Sequence, residues 1–564
     1  MPSSSTPPSG SRRYAADPLL MRGTGAGPGP LTERYPPEER TLLHVLAGQV
    51  ADRPDQDWLV FDSRDRLTFR QAQRRAYQFA QAAQASGYPA PRVALLLRNQ
   101  HEFVPAYYGA QAAGGLAAPL NPELRGPLLE TLLSRCQAQL LVVRADLLDV
   151  LRDAPSLAQI QLVLVCGEDA ACGAIHGVPV CSLEQWLSGH PEAPPASLPR
   201  PSDLAALVFT SGTSGGSKAV AWSHHYQYFS SSTICDSLGH GPDDVLSTPL
   251  QTCHIAGLQV FANSALHAGC TAHLKSAFSA ARWWDEIAAD KATFAMLMGQ
   301  MAEMILTRVP EAPPHQLAHA YILPQPLCRA EFEDRYRTKV IWQGWGMTEV
   351  FPHVPSRIRL ENVSDDTIGP PPSWVDFGVV DEDDRLLAAG ELGQMVYRPL
   401  IPYAMASGYY GDPAATSAAF RNFMFHTGDL GYYDESGNIH FVMRNQDAIR
   451  RRGENISAVE LETIARRHPR IGDAAAYAVP SPLGEHEVKL DVVSQDSLPV
   501  DLPELHQWLT ENLPRFMVPR YLEQRDSFPK TPSQRVEKYK LAQDSADRPE
   551  VAEFQPRRKE VSAP

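Results

Sequence analysis

The chain lacks any run of about 18 consecutive apolar residues, so its sequence offers no membrane-spanning helix. Cysteine is scarce: there are eight in 564 residues, at positions 136, 166, 172, 181, 235, 253, 270 and 328. None forms a CxxC pair or a cluster with zinc-ligand spacing, which argues for a reducing, cytoplasmic setting rather than a disulfide or zinc scaffold. Positive charge is short as well, because 51 Lys and Arg against 65 Asp and Glu leave a net charge of -14. Gripping nucleic acid by general electrostatics needs the opposite balance, so nucleic acid is not an expected partner. A nucleotide substrate stays open, since backbone N–H groups and a few cations suffice to hold it. Internal repeats are missing. The first 30 residues carry arginine but no apolar signal-peptide core, and their Pro, Ser and Gly content reads as a disordered leader.

A hydrophobic fraction of 43% and a charged fraction of 21% are those of a soluble globular protein, and the length implies two to four domains. Thr68 to Ala80 has apolar residues at helical spacing, whereas Arg92 to Leu97, Gln137 to Val143 and Leu162 to Cys166 read as buried strands. Strands alternating with helices imply parallel sheets covered on both faces. The Pro- and Ser-rich stretch 190–203 leads into the strand Leu204–Phe209, and the texture changes again near Arg444 to Asp447. The expected fold class is therefore α/β, with a compact C-terminal unit of about 100 residues after the second texture change. The expected boundaries are a disordered leader (1–35), a large N-terminal region (36–446), a small C-terminal unit (447–541) and a flexible tail (542–564).

After the strand Leu204–Phe209 comes Thr210-Ser211-Gly212-Thr213-Ser214-Gly215-Gly216-Ser217-Lys218. Glycines let backbone N–H groups approach an anion closely, and hydroxyls with a lysine complete a polyphosphate cradle. The segment is not a Walker loop, because Ser217 stands where that pattern needs its second glycine. It does satisfy G-x-S-x-G, which nominates Ser214 as a hydrolase nucleophile, and it is also compatible with a plain flexible turn. Gly344-Trp345-Gly346-Met347-Thr348-Glu349 puts a hydroxyl beside a carboxylate, hard oxygen ligands of the kind Mg²⁺ prefers. Asp429, after His426-Thr-Gly, can accept both hydroxyls of a ribose or cap a turn. Arg444-Asn-Gln446-Asp447 and the basic run that follows feed a helix with a capping box on Ser457 and Glu460.

In order and spacing, this set resembles the superfamily of acyl-CoA synthetases, luciferases and peptide-synthetase adenylation domains, over residues 40 to 541. The wording Arg450-Arg-Arg-Gly-Glu-Asn-Ile-Ser is closest to its crotonobetaine/carnitine-CoA ligase-like branch, which also includes ATP-dependent diazotases. Phe209 to Lys218 resembles the family's phosphate loop, with Ser217 where proline is usual and Ala219 where glycine is usual. The resemblance implies that residues 36–446 form an ATP- and substrate-binding region of stacked α/β subdomains, that residues 447–541 form a small mobile α+β lid, and that the reaction has two steps. An acid attacks the α-phosphate of Mg·ATP to give an acyl-adenylate and pyrophosphate, and after the lid rotates a thiol, commonly coenzyme A, displaces AMP.

The resemblance also implies roles. The loop residues 210–215 and Lys218 would hold the phosphates, with Thr348 and Glu349 at the metal. Trp345, with Gly344, Gly346 and Met347 around it, would stack on adenine beside Gln325. Asp429 and Arg444 would fix the ribose, and Gln446 and Asp447 would form the hinge. Cys253, His254, Gly257, Met298 and Gln343 would line the acid pocket, His254 being equally readable as a packed, satisfied residue. The implied partners are a carboxylate or nitrite and an acceptor that is CoA, a carrier protein or an amine.

One departure matters. The C-terminal motif of the family ends in Gly-Lys, whereas Pro529-Lys-Thr-Pro-Ser-Gln534-Arg535 ends in Gln-Arg. Arginine keeps the charge but is planar, bulkier and forked, so the exchange is not conservative. Arg535 could act as the catalytic cation of a CoA ligase, or Lys538 or Lys540 could reach in its place. The altered end could also suit a diazotase that activates nitrite for transfer to an aryl amine in natural-product biosynthesis, or mark a non-catalytic nucleotide-binding relative.

Overall fold

The computed structural model describes residues 13–15, 20–25, 27–152, 157, 159–167, 172–210, 217–323, 326, 328–353, 367–444, 448–451, 454–481, 486–496, 498–529, 536, 538, 541–542 and 551–554. Two largely parallel sheets dominate it. In the first, the strands Leu204–Thr210, Leu116–Leu120, Arg92–Leu96, Leu140–Arg144, Leu162–Cys166 and Val178–Ser182 run parallel. Lys218–Ser223 and Gly173–Ile175 close its two edges antiparallel. Four of the five residues of Leu140–Arg144 are buried, as expected for a strand covered on both faces and written as a continuous apolar run.

The second sheet orders Lys339–Ile341, His319–Leu323, Phe294–Met298, Val245–Thr248 and Thr271–Leu274 in parallel, then Asp57–Phe61 paired with Asp65–Thr68. Helix Phe69–Ala85 starts at a capping box in which Thr68 and Gln71 satisfy each other's backbone N–H, and its Ala and Phe face is buried. A third, antiparallel sheet holds Val375–Val380, Gly393–Pro399, Phe425–Tyr433 and Ile439–Arg444.

The C-terminal unit begins with the hairpin Ala448–Arg451/Glu454–Ser457 and helix Ala458–Ala465. Its sheet pairs Ile471–Pro480 with His486–Ser494 and then Tyr521–Arg525, and helix Leu502–Asn512 packs on it. The family's α/β fold, a large first region followed by a small second one, is thus present.

Both ends differ from their expected lack of structure. In the leader, Met21–Arg22 pairs with Phe377 and Asp376 on the edge of the third sheet. Asp236 accepts the N–H groups of Leu31 and Thr32, each at 3.2 Å, and the Thr32 hydroxyl bonds Ser232. In the tail, Ala552–Glu553 joins the last sheet beside Tyr521 and Leu522. Glu553 pairs with Arg520 at 2.7 Å, and the Phe554 ring stacks on His506. Neither segment has a periodicity of its own. Each is held by an edge strand and a charged partner far away in sequence, which composition does not reveal.

Candidate active site

The parallel strands of the second sheet deliver the candidate pocket residues together. Cys253 and His254 follow Val245–Thr248, Met298 ends Phe294–Met298, and Gln343 to Trp345 follow Lys339–Ile341. Carboxyl ends of adjacent parallel strands are where open α/β sheets bind ligands. Cys253, Met298 and Gln343 are all buried. The turn before His254 is held by Asn99, whose side chain bonds Leu250 O and Lys275 O at 2.9 Å each and accepts Thr252 N–H at 2.9 Å. Gly257 lies in a π-helical stretch, Ala256–Asn263, pressed on the preceding turn: a Cβ there would sit 2.4 Å from Gln251 O and 2.7 Å from Leu250 O. Only glycine fits.

Around Glu349 the arrangement is rigid. The Thr348 carbonyl accepts the Trp222 indole N–H at 2.9 Å and the Tyr226 hydroxyl at 3.2 Å. Glu349 is buried, and its Oε1 accepts the Tyr409 hydroxyl at 2.7 Å. The ring of Tyr409 lies 4.7 Å from Lys218 Nζ, so this one side chain bridges the cation and the carboxylate. Burial, and then the nearby Glu349, push the Tyr409 phenol well above its ordinary range, so it stays a hydrogen-bond donor. Segment Ser407–Tyr410 is fixed alongside Lys218–Ser223 by bonds from Ser407 N to Ala221 O and Tyr410 N to Ala219 O. Tyr409 was invisible to sequence reasoning, since no motif contains it.

Trp345 stacks on Tyr397, with centroids 5.1 Å apart and planes at 12°, and its indole N–H donates to Asp429 Oδ2 at 2.8 Å. Asp429 is aimed by a bulge in Phe425–Tyr433: Gly428 takes φ 74°, open to glycine, and Asp429 N–H bonds the Thr427 hydroxyl at 3.0 Å. Arg444 is the direct cross-strand partner of Asp429. Lys218, Tyr409 and Glu349 thus form one linked set and Trp345 with Asp429 another, the two joined along the backbone by the segment Trp345–Glu349. Ser211 to Gly216, Gln325, Gln446, Asp447 and Arg535 lie outside the described residues, as does the side chain of Arg444.

The C-terminal unit closes on this site. A cavity between the two regions is lined by Thr210, Ser217, Cys253, His254, Glu454 and Phe516, among others. Glu454, from the hairpin, pairs with His254 Nε2 at 3.0 Å and accepts Asn121 Nδ2 at 3.4 Å. Desolvation works to lower the His254 pKa, but Cys253 and Glu454 beside it outweigh that and raise it well above the ordinary imidazole value. Glu460, in helix Ala458–Ala465, accepts both the backbone N–H and the hydroxyl of Ser217. Its carboxyl pKa is raised by burial, with the Ser217 bonds opposing.

As to metal, a buried carboxylate next to a hydroxyl-bearing residue fits a hard cation that draws its remaining oxygens from phosphate and water. Among the described residues no group of three or more His, Cys, Asp or Glu could hold an ion unaided. Glu349 with a bound nucleotide is therefore the fitting donor set.

A site of this geometry, on stacked α/β sheets with a small closing domain, is that of an adenylate-forming enzyme. Residues 46–410 match the family model for AMP-binding enzymes and residues 460–535 that for the AMP-binding enzyme C-terminal domain. The chain belongs to the AMP-binding enzyme family and is an ATP-dependent, AMP-forming ligase. Among similar proteins, the crotonobetaine/carnitine–CoA ligase of Shigella flexneri is 28% identical over 454 residues, spanning 79% of this chain and 87% of that protein. In fold it is similar to o-succinylbenzoate CoA synthetase from Bacillus subtilis, with a TM-score of 0.75 at 21% identity over 88% of this chain and 98% of that one. It is also similar to an amide bond synthetase from Marinactinospora thermotolerans, with a TM-score of 0.75 at 23% identity over 89% of this chain and 100% of that one. Among the described residues no helix is long and apolar enough to cross a membrane.

Proposed function

We propose that the chain activates a small-molecule carboxylic acid as its AMP anhydride and passes the acyl group to a thiol, with coenzyme A the default acceptor. The observation that carries this reading is the pair of linked sets Lys218–Tyr409–Glu349 and Trp345–Asp429, held four residues apart on one segment, which supports the roles of a phosphate cation, a metal carboxylate, an adenine platform and a ribose acceptor. Adenylation needs charge neutralisation and positioning more than covalent help. Lys218 supplies fixed positive charge at the phosphates, and Tyr409 keeps it beside Glu349. Glu349 and Thr348 would hold Mg²⁺, which neutralises phosphate charge when bound. Asp429 with Arg444 holds the ribose, and the Trp345 ring takes the adenine. The acid lies among Cys253, His254, Gly257, Met298 and Gln343, and closure of the lid keeps water from a hydrolysable adenylate. Arg535, as the cation of the C-terminal motif, would neutralise the attacking acid. The hairpin carrying Glu454 meets His254 at the cavity, a placement that suits delivery of a thiol after the lid has turned.

A second reading rests on Gln534-Arg535 in place of Gly-Lys. A forked guanidinium at that contact fits a small anion, and nitrite activated as its AMP anhydride could be passed to an aryl amine. An AMP-release screen separates the two: carboxylic acids, and nitrite with an aryl amine, each assayed with and without CoA. CoA-dependent AMP release with a carboxylate supports the first reading, and release only with nitrite and amine replaces it with the second. Arg535→Lys then tests whether arginine is tuned to its substrate, in which case turnover falls. Recovery from an inactive wild type would instead mark a decayed, nucleotide-binding site.

A further inference from the structure

Ser217 is the residue at which this chain departs from the proline usual in its family's phosphate loop, and it is where the lid takes hold. Glu460 Oε1 accepts the Ser217 hydroxyl at 2.5 Å and the Ser217 backbone N–H as well, across 243 positions of sequence. Proline could offer neither donor, having no N–H and no hydroxyl. Ser217 is only 9% exposed, so the contact is shielded from competing water. Hydrogen bonds to a charged acceptor are the stronger kind. On the same face of the lid, Glu454 meets His254 and Asn121.

We infer that Ser217 and Glu460 form an interdomain clasp that positions the lid with its Glu454 hairpin at the cavity. The pair acts through lid orientation, so these are positioning residues. The clasp also carries a timing rule, which rests on the proposed acid-activating role. Glu460 brings a negative carboxylate to the residue next to Lys218, against the end of the phosphate loop. A bound triphosphate opposes that approach by charge repulsion, whereas a site left with AMP does not. The clasp therefore favours the orientation that follows pyrophosphate release.

The test measures lid position directly. Spin labels on non-natural amino acids at exposed Arg64 and Glu504 report the distance between the two regions in the full chain. Ser217→Pro, which restores the family's residue, and Glu460→Ala should each lower the population of the clasped distance about ten-fold, equivalent to about 1.4 kcal/mol. Ser217→Thr, which keeps both donors, should retain that population. An unhydrolysable ATP analogue should deplete the clasped distance in the wild type and AMP should restore it. In kinetics, Glu460→Ala should slow acyl transfer to the thiol while leaving pyrophosphate exchange intact, a split that general destabilisation would not produce. Wild-type distance distributions in both Ser217→Pro and Glu460→Ala would overturn the clasp while leaving acid activation standing. Absence of ATP consumption would overturn the timing rule while the distances still report the clasp.

Discussion

The nucleotide site and the core of the lid treat buried charge in opposite ways. At the nucleotide site, carboxylates are held by neutral donors: Asp429 by the Trp345 indole and Glu349 by the Tyr409 phenol. In the lid, buried charges are paired with one another. Lys489 meets Glu523 at 2.5 Å, Arg525 meets Asp491 at 3.0 Å, and Arg451 meets Glu487 at 2.6 Å, all nearly or fully inaccessible. Neutral donors leave a carboxylate its charge for a metal ion or a ribose. Charge pairs consume it. The nucleotide site is thus pre-set to bind, and the lid is braced within itself to move as one body.

That contrast can be broken from either side. The largest effect is expected at Glu349→Ala, which removes the metal carboxylate and should cut pyrophosphate exchange by about 10³-fold, with Lys218→Ala close behind. Melting curves should show both variants folded. Next in size, Lys489→Met leaves the buried carboxylates of Glu523 and Asp491 to share Arg525 alone and should destabilise that unit by about 3 kcal/mol, read as a separate early transition in thermal unfolding. Trp345→Phe keeps the ring and drops the N–H to Asp429. Its expected cost is about ten-fold in KM for ATP with kcat nearly unchanged, in steady-state assays.

The smallest effect is on pH. The His254 pKa is raised in the folded protein, so its pairing with Glu454 is fully present below the unfolded value of about 6.5 and is lost as pH rises through the folded value. Stability should therefore fall modestly on the alkaline side in pH-dependent melting, and Glu454→Gln should flatten that slope.

Much of the large region was legible because its elements speak locally. Leu140 to Val143 is apolar on both faces and reads as a buried strand, and Thr427-Gly-Asp429 announces a turn that aims a carboxylate. Tyr409 was not legible: its role arises only where Ser407–Tyr410 lies beside Lys218–Ser223, a contact of segments about 190 positions apart. Glu460 was legible as a helix-capping residue but not as a partner of Ser217. The leader strand Met21–Arg22 and the tail strand Ala552–Glu553 were hidden for a similar reason, since an edge strand of two residues has no period.

The most direct measurement of acid activation is exchange of labelled pyrophosphate into ATP across a panel of acids that includes nitrite. The expected result is exchange that depends on one class of acid and vanishes in Glu349→Ala. Failure of every acid, nitrite included, to promote exchange or any consumption of ATP by the folded wild-type chain would contradict it.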